Sequence, residues 1–254
     1  MTFKFIQVNI YKGKYLDALV NFLKSEGPDF ISMQEVTVGG FNLCEDRRAN
    51  LFAVLRTRLA MGGVYNGDLK LMGDEKSIFG NAVFSKCKIL EKNVVVLKEF
   101  RPVTLEELDG VSGEIREKIP RHLLDCVIDY YGKNIHLLSW HGAWTAPPVD
   151  TKETLGQAKI VANYLQSLDE PFILGCDANN VIGSETIALV NDVSENLMID
   201  SGVLQTTHPK VHKIVPRGFL IDYVFVSRDI RLKSLRVPEV IVSDHLPVVC
   251  ELEL

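Results

Sequence analysis

The sequence predicts an α/β fold in which two β-sheets pack face to face with helices outside them. Three observations lead there. An opening strand–helix–strand unit is followed by closely spaced strands, and then by a second set of helix and strands. Both halves are strand-rich and each carries helices, so each sheet has a helical cover. No linker interrupts the 254 residues, and residues 1–254 read as a single domain with a full core.

The first strand is FKFIQVNI (3–10). KYLDALVNFLKSE (14–26) places Leu16, Leu19, Val20 and Leu23 at helical spacing, and Gly27-Pro28 ends that helix. DFISMQE (29–35) is the second strand, RRANLFAVLRTRLA (47–60) a second amphipathic helix, and 61–73 a Gly-rich loop. From residue 77 the strands crowd together: SIFGNAVFSK, ILEKNVVVLKEF, and RHLLDCVIDYYGKNIHLLSW folded back on a Tyr-Gly-Lys-Asn turn. Together they read as an antiparallel meander. Segment 101–119 has no clear period and reads as an inserted rim loop. TKETLGQAKIVANYLQSL (151–168) is a helix opening on a capping-box-like Thr151 and Thr154. PFILGCDANN, GFLIDYVFVS and LPVVCELEL supply the last strands.

Composition narrows the function classes. A formal net charge of −5 argues against coating nucleic acid through a large positive field, and means that a polyanionic substrate needs local cations or a metal. Five scattered cysteines, odd in number and never in CxxC spacing, indicate neither a disulfide framework nor a zinc site. The N-terminus reads as a strand without a basic flank and apolar leader, and no later apolar run is long enough to span a bilayer. The expectation is a cytoplasmic monomer without a transmembrane segment.

Most strands finish in a short polar cluster of metal-ligand or acid–base type. Asn9, Glu35, Asn81, His141, Asp177 with Asn179, Asp222, and Asp244-His245 all occupy such places. Singly, Asn9, Glu35 or His141 would more often be a cap, a surface charge or a structural hydrogen bond. Their joint order changes the reading, because carboxylates are rarely set beside apolar strand cores unless paired or metal-bound.

With VNI, SMQEV, FGNAVFS, SWHGAW, LGCDANN, IDYVFVS and SDHLPV in that order, the chain resembles the endonuclease/exonuclease/phosphatase superfamily, which has the DNase I-like fold, over nearly its whole length. The resemblance implies a four-layer α/β/β/α sandwich and a phosphoester hydrolase using Mg²⁺ or Mn²⁺. It implies that Glu35 is a metal ligand, with Asn9 and Asp244 near the same ion. Asp177 and Asn179 would orient the attacking water and bind phosphate, and Asp222 and His245 would form the pair at the scissile phosphate. His141 sits where many members have a Thr-His-Leu histidine, Asn81 falls in a Gly-Asn-Ala signature whose amide would help order the site at the substrate, and Arg121 matches a phosphate-side arginine, with a solvated strand-end charge as its equal alternative.

Physical chemistry supports these roles independently. The site must neutralise phosphoryl charge and hold water in line. Hard oxygen ligands such as Glu35 and Asp244 suit Mg²⁺. Asp222 would hold a protonated His245 ring and raise its pKa, Asp177 can take the water's proton, and Asn179 donates without adding charge.

Three departures bear on substrate. SWHGAW lacks the usual residues flanking its His, LGCDANN carries Cys176 before the acid, and Glu35 precedes Val36-Thr37 rather than the Thr-Lys of abasic-site endonucleases. These point to a generic branch. The loop QTTHPKVHKIVPRG (205–218) gathers Lys210, Lys213 and Arg217 with two histidines, so it reads either as a phosphate-contacting patch or as a solvated loop. The expected substrate is DNA or RNA. A small or lipid-derived phosphoester is the alternative, and a non-catalytic binding module a third possibility.

Overall fold

A computed structural model describes residues 1–109, 118–212 and 218–254. Two mixed sheets form its centre. One has the order β12 (Arg231–Arg236), β13 (Val248–Glu253), β1 (Thr2–Asn9), β2 (Phe30–Val38), β4 (Asp74–Ser85), β3 (Gly62–Leu71), β6 (Pro102–Val103). The other has the order β10 (Glu195–Asn196), β11 (Asp222–Val226), β9 (Phe172–Asp177), β8 (Lys133–His141), β7 (Arg121–Tyr130), β5 (Lys88–Lys98). β1 and β2 are parallel, as are β8 and β9, while β13 runs antiparallel to β1 and β11 antiparallel to β9.

The alternation of β1 builds the layers. Phe3 and Phe5 enter the core shared with the second sheet, whereas Ile6, Val8 and Ile10 pack under α1 (Leu16–Glu26) and α2 (Leu51–Leu59) through Leu19, Leu23, Leu51 and Leu55. On the far side, α4 (Lys152–Gln166) and α5 (Glu185–Asn191) cover the second sheet with Ala158, Val161, Leu165 and Ile187. α3 (Leu105–Asp109) is a short rim helix. The result is the expected four-layer sandwich.

The layer between the sheets is partly polar. Gln34 Nε2 donates to Ser139 Oγ at 3.0 Å, Ser32 Oγ to the Gly175 carbonyl at 3.0 Å, and Ser139 Oγ to the Met33 carbonyl at 3.2 Å. Gln7 and Gln34 also bond each other. Sheets carrying such short side chains approach closely. A Cβ on Gly175 would lie 2.6 Å from Gln7 Oε1 and 2.7 Å from Ser32 Cβ.

Several expectations are corrected. Segment 61–73 is largely strand β3, because β4 offers a long partner and Gly67 and Gly80 permit close backbone approach. The meander is split: β4 pairs with β2 and β3, and the chain changes sheet before β5, so only β5, β7 and β8 follow one another in one sheet. Helix 47–60 starts at Leu51, where Asn50 caps it by accepting from the Ala53 N–H. β12 and α5 fall in stretches whose sequence period is weak. Segment 101–119 contributes β6 and α3, and its residues 110–117 lie outside the described residues. The Thr151–Thr154 capping box is present. All five cysteines are free thiols, and no helix among the described residues is long and apolar enough to cross a membrane.

Candidate active site

The parallel strands β1 and β2 of one sheet and β8 and β9 of the other carry Asn9, Glu35, His141 and Asp177 towards their C-terminal ends. The antiparallel neighbours bring the remaining groups to the same edge. Asp222, first residue of β11, is in register with Asp177, and Asp244-His245 lie just ahead of β13 beside β1. Asn9, Glu35, Arg121, His141, Asp177, Asn179, Asp244 and His245 therefore line one cleft of about 370 Å³.

Asp177 sits at its centre. Asn9 Nδ2 donates to Oδ2 at 2.9 Å and the Asn179 N–H to Oδ1 at 3.0 Å. His141 Nε2 and His245 Nε2 lie 3.6 and 3.7 Å from Oδ2, too far for direct hydrogen bonds. Burial pushes the Asp177 carboxyl up to about 6 against the pull of His245. Asn179 has a left-handed backbone (φ 53°), which Asn tolerates, and its Nδ2 donates to the Gly142 carbonyl at 3.1 Å.

Two of the three histidines lining the cleft are pushed in opposite directions. His245 Nδ1 lies 2.8 Å from Asp222 Oδ2; burial opposes the charged ring, yet Asp222 and Asp177 hold its pKa well above the ordinary imidazole value. His141 is driven well below that value by burial, with the charges of Arg121 and His245 adding to it. The surroundings thus favour the charged form of His245 and the neutral form of His141.

Glu35 interrupts β2. Its φ of 58° coincides with a register shift between Met33 and Val36 against β4, and its Oε2 is buried with no hydrogen-bond partner. Burial raises its pKa, with Lys12 and His245 opposing, and burial pushes Asp244 up to about 6 with Glu35 adding to the rise. His212, Asp244 and His245 bring one ligand atom each within 4.8 Å of one another, as do Asp177, Asp222 and His245, the latter being the Asp222–His245–Asp177 array itself.

The other expected residues divide between the cleft wall and its surroundings. Asn81, expected at the substrate, is buried behind the cleft wall, with Nδ2 directed to Asp68 and the His122 carbonyl. Lys210 lies outside the cleft, paired with Glu239 at 2.8 Å, and Lys213 and Arg217 lie outside the described residues. Arg121 is buried: its guanidinium lies 5.9 Å from the Phe79 ring centre, and Nε donates to the Gly142 carbonyl. Trp140 is core, whereas Trp144 lines the cleft. Tyr11, Lys12 and Asp109 also line it and carried no motif signal, though Tyr11 and Lys12 directly follow the Asn9 strand.

The model of the Endonuclease/Exonuclease/phosphatase family matches residues 6–245. No curated protein matches the chain. Among solved structures, an endonuclease/exonuclease/phosphatase from Bacteroides vulgatus is 18% identical with a TM-score of 0.74, covering 100% of this chain and 99% of that one. A mannosyl-6-phosphatase of Bacteroides thetaiotaomicron is 17% identical with a TM-score of 0.70, covering 99% and 100%. TDP2 of D. rerio, complexed with single-strand DNA product, is 16% identical with a TM-score of 0.71, covering 100% and 99%. At these identities the likeness is one of fold. With the family model spanning almost the entire sequence, the chain belongs to the endonuclease/exonuclease/phosphatase family.

Proposed function

We propose that the protein is a divalent-metal-dependent phosphoester hydrolase whose substrate is a polynucleotide. The observation that carries the hydrolase reading is the placement of Asp177, a buried carboxylate whose Oδ2 has His141 Nε2 at 3.6 Å and His245 Nε2 at 3.7 Å, the surroundings favouring the neutral form of the first ring and the charged form of the second. A phosphoester repels an incoming hydroxide, so a site must supply both a proton acceptor and fixed positive charge. Asp177 accepts the water's proton through the oxygen that faces the cleft. His245, its ring fixed by Asp222, donates from Nε2 to a phosphoryl oxygen, and the second N–H of Asn179 remains for another.

Glu35, Asp244 and Asn9 fit a hard cation such as Mg²⁺ or Mn²⁺. The Glu35 Oε2 is orphaned, and among the described residues the Asp244 carboxylate accepts only a 3.3 Å bond from Ser243. Asn9 Oδ1 accepts from the Tyr11 N–H and keeps one lone pair. When bound, such an ion would offset phosphoryl charge.

The polynucleotide reading is supported by an apolar recess of about 200 Å³ that shares Trp144, Asn179 and His212 with the cleft and is walled by Pro148, Phe219 and Ile221. A flat base stacks on such walls without sequence preference. A small or lipid-derived phosphoester is the second reading, favoured by the Lys210–Glu239 pair, which neutralises one cation of the expected basic loop.

The test is Mg²⁺-dependent hydrolysis of plasmid DNA, single-stranded RNA and bis-p-nitrophenyl phosphate by wild type, Asp177→Ala and His245→Ala. Polynucleotide cleavage that needs metal and disappears in both variants supports the nuclease. Turnover of the small ester alone moves the substrate to the second reading, and no turnover of any of them removes the hydrolase reading.

A further inference from the structure

Lys12 has no part in the chemistry above, yet it is a largely buried ammonium on the cleft wall. We propose that Lys12 binds a negatively charged phosphoryl oxygen of the substrate and that Asp109 competes with the substrate for it; the proposal rests on the hydrolase reading and identifies a further anion-binding residue.

The backbone forces Lys12 into place. Tyr11 and Lys12 both have left-handed conformations (φ 49° and 52°), which cost energy for residues bearing a Cβ. The segment holds them there: the Gly13 N–H donates to the Ile10 carbonyl at 3.0 Å, and the Leu43 N–H to the Lys12 carbonyl at 2.8 Å. Gly13 packs against Leu51, whose Cδ1 a Cβ would meet at 2.6 Å. The Lys12 side chain, 9% exposed, is thereby committed to the cleft that holds Glu35, Asp177 and His245.

Its partner is differently placed. Lys12 Nζ lies 2.7 Å from Asp109 Oδ1, and the Asp109 side chain is 56% exposed at the end of rim helix α3, which has no buried residue. An exposed carboxylate displaced from the pair regains water, whereas the buried ammonium cannot follow it outward and needs another anion. Among the described lining residues of the cleft, carboxyls outnumber lysine and arginine. Lys12 and Arg121 are the only lysine and arginine among them, against the carboxyls of Glu35, Asp109, Asp177 and Asp244. While Asp109 holds Lys12, one of those two permanent charges is neutralised. An entering phosphoryl group that replaces Asp109 restores it where the substrate anion lies.

The test measures inorganic phosphate binding by calorimetry, with and without Mg²⁺, in wild type, Lys12→Met, Lys12→Arg, Asp109→Asn and the Lys12→Met/Asp109→Asn double variant. KM for bis-p-nitrophenyl phosphate is measured beside it. Lys12→Met is expected to bind phosphate about tenfold more weakly and Asp109→Asn several-fold more tightly with a lower KM, while Lys12→Arg stays near wild type. The double variant should match Lys12→Met, because Asp109 acts only through Lys12. Unchanged phosphate affinity in Lys12→Met overturns the proposal, as does weaker binding in Asp109→Asn with a lowered melting temperature, which would make the pair a structural tie for α3. A wild type that binds no phosphate also overturns it. If the binding pattern holds but no phosphoester is hydrolysed, the hydrolase reading fails and the anion site stands.

Discussion

His245 Nδ1 lies 2.8 Å from Asp222 Oδ2, and that contact turns the other ring nitrogen into the cleft, 3.7 Å from Asp177. Asp222 is fully buried and opposite Asp177 in the β9–β11 ladder, so the sheet itself sets the spacing of the array. Asp222→Asn keeps the shape but removes the charge that holds the ring protonated. We expect kcat for bis-p-nitrophenyl phosphate to fall about a hundredfold and the His245 pKa, followed by NMR, to drop. An unshifted ring pKa would remove Asp222 from this role.

As the proposed base, Asp177, raised to about 6, is expected to set an acid limb in the rate profile. Below that pH the carboxyl already carries a proton, so log(kcat/KM) is expected to fall with a slope of at least one as pH drops, Asp244 titrating in the same range, and a profile flat through pH 5 would exclude Asp177 as base.

The same shift has a stability consequence of definite sign. Folding raises this carboxyl above its unfolded value, so its burial costs stability when it is charged, and stability from this group grows as pH falls from about 6 to about 4. In metal-free protein at neutral pH, Asp177→Asn should melt a few degrees higher than wild type. An unchanged or lower melting temperature would contradict this.

Glu35 supplies a buried oxygen without a partner. Saturating Mg²⁺ should raise the melting temperature of wild type by mass action, and Glu35→Gln should abolish most of that rise. Equal shifts in both proteins would place the ion elsewhere.

Gly175 tests the sheet packing. A methyl group there meets Gln7, Ser32 and Phe5 Cζ, the last at 2.9 Å, so Gly175→Ala should destabilise the fold by about 1–3 kcal/mol in chemical denaturation. A cost near zero would show that the two sheets separate easily at this point.

Strands with strong two-residue alternation or continuous apolar runs, such as β1, β7 and β9, were legible because burial of one or both faces writes itself into residue type. β3 was not, because its glycines answer to close approach by β4 rather than to propensity. Assigning β4 to the meander failed for a related reason: period shows that a segment is a strand, but not which sheet receives it. In the site, motif residues at strand ends were legible as a set, and all but Asn81 and Asp222 line the cleft; of the basic loop, Lys210 lies outside it and Lys213 and Arg217 are outside the described residues. Asn81 shows the limit, since an amide type does not reveal whether it faces the cleft or Asp68 behind it.

The sequence by itself determined the layers, the free thiols and the order of polar groups at strand ends, because those follow from local pattern and from which residue types tolerate burial. Only the tertiary structure decided that burial beside Arg121 and His245 drives the His141 pKa down, that Glu35 sits on an irregularity of β2 with an orphaned oxygen, and that Lys12 faces Asp109 across 97 positions of chain. Protonation and pairing depend on distances between groups far apart in sequence and on the water excluded around them, and chain folding alone sets both.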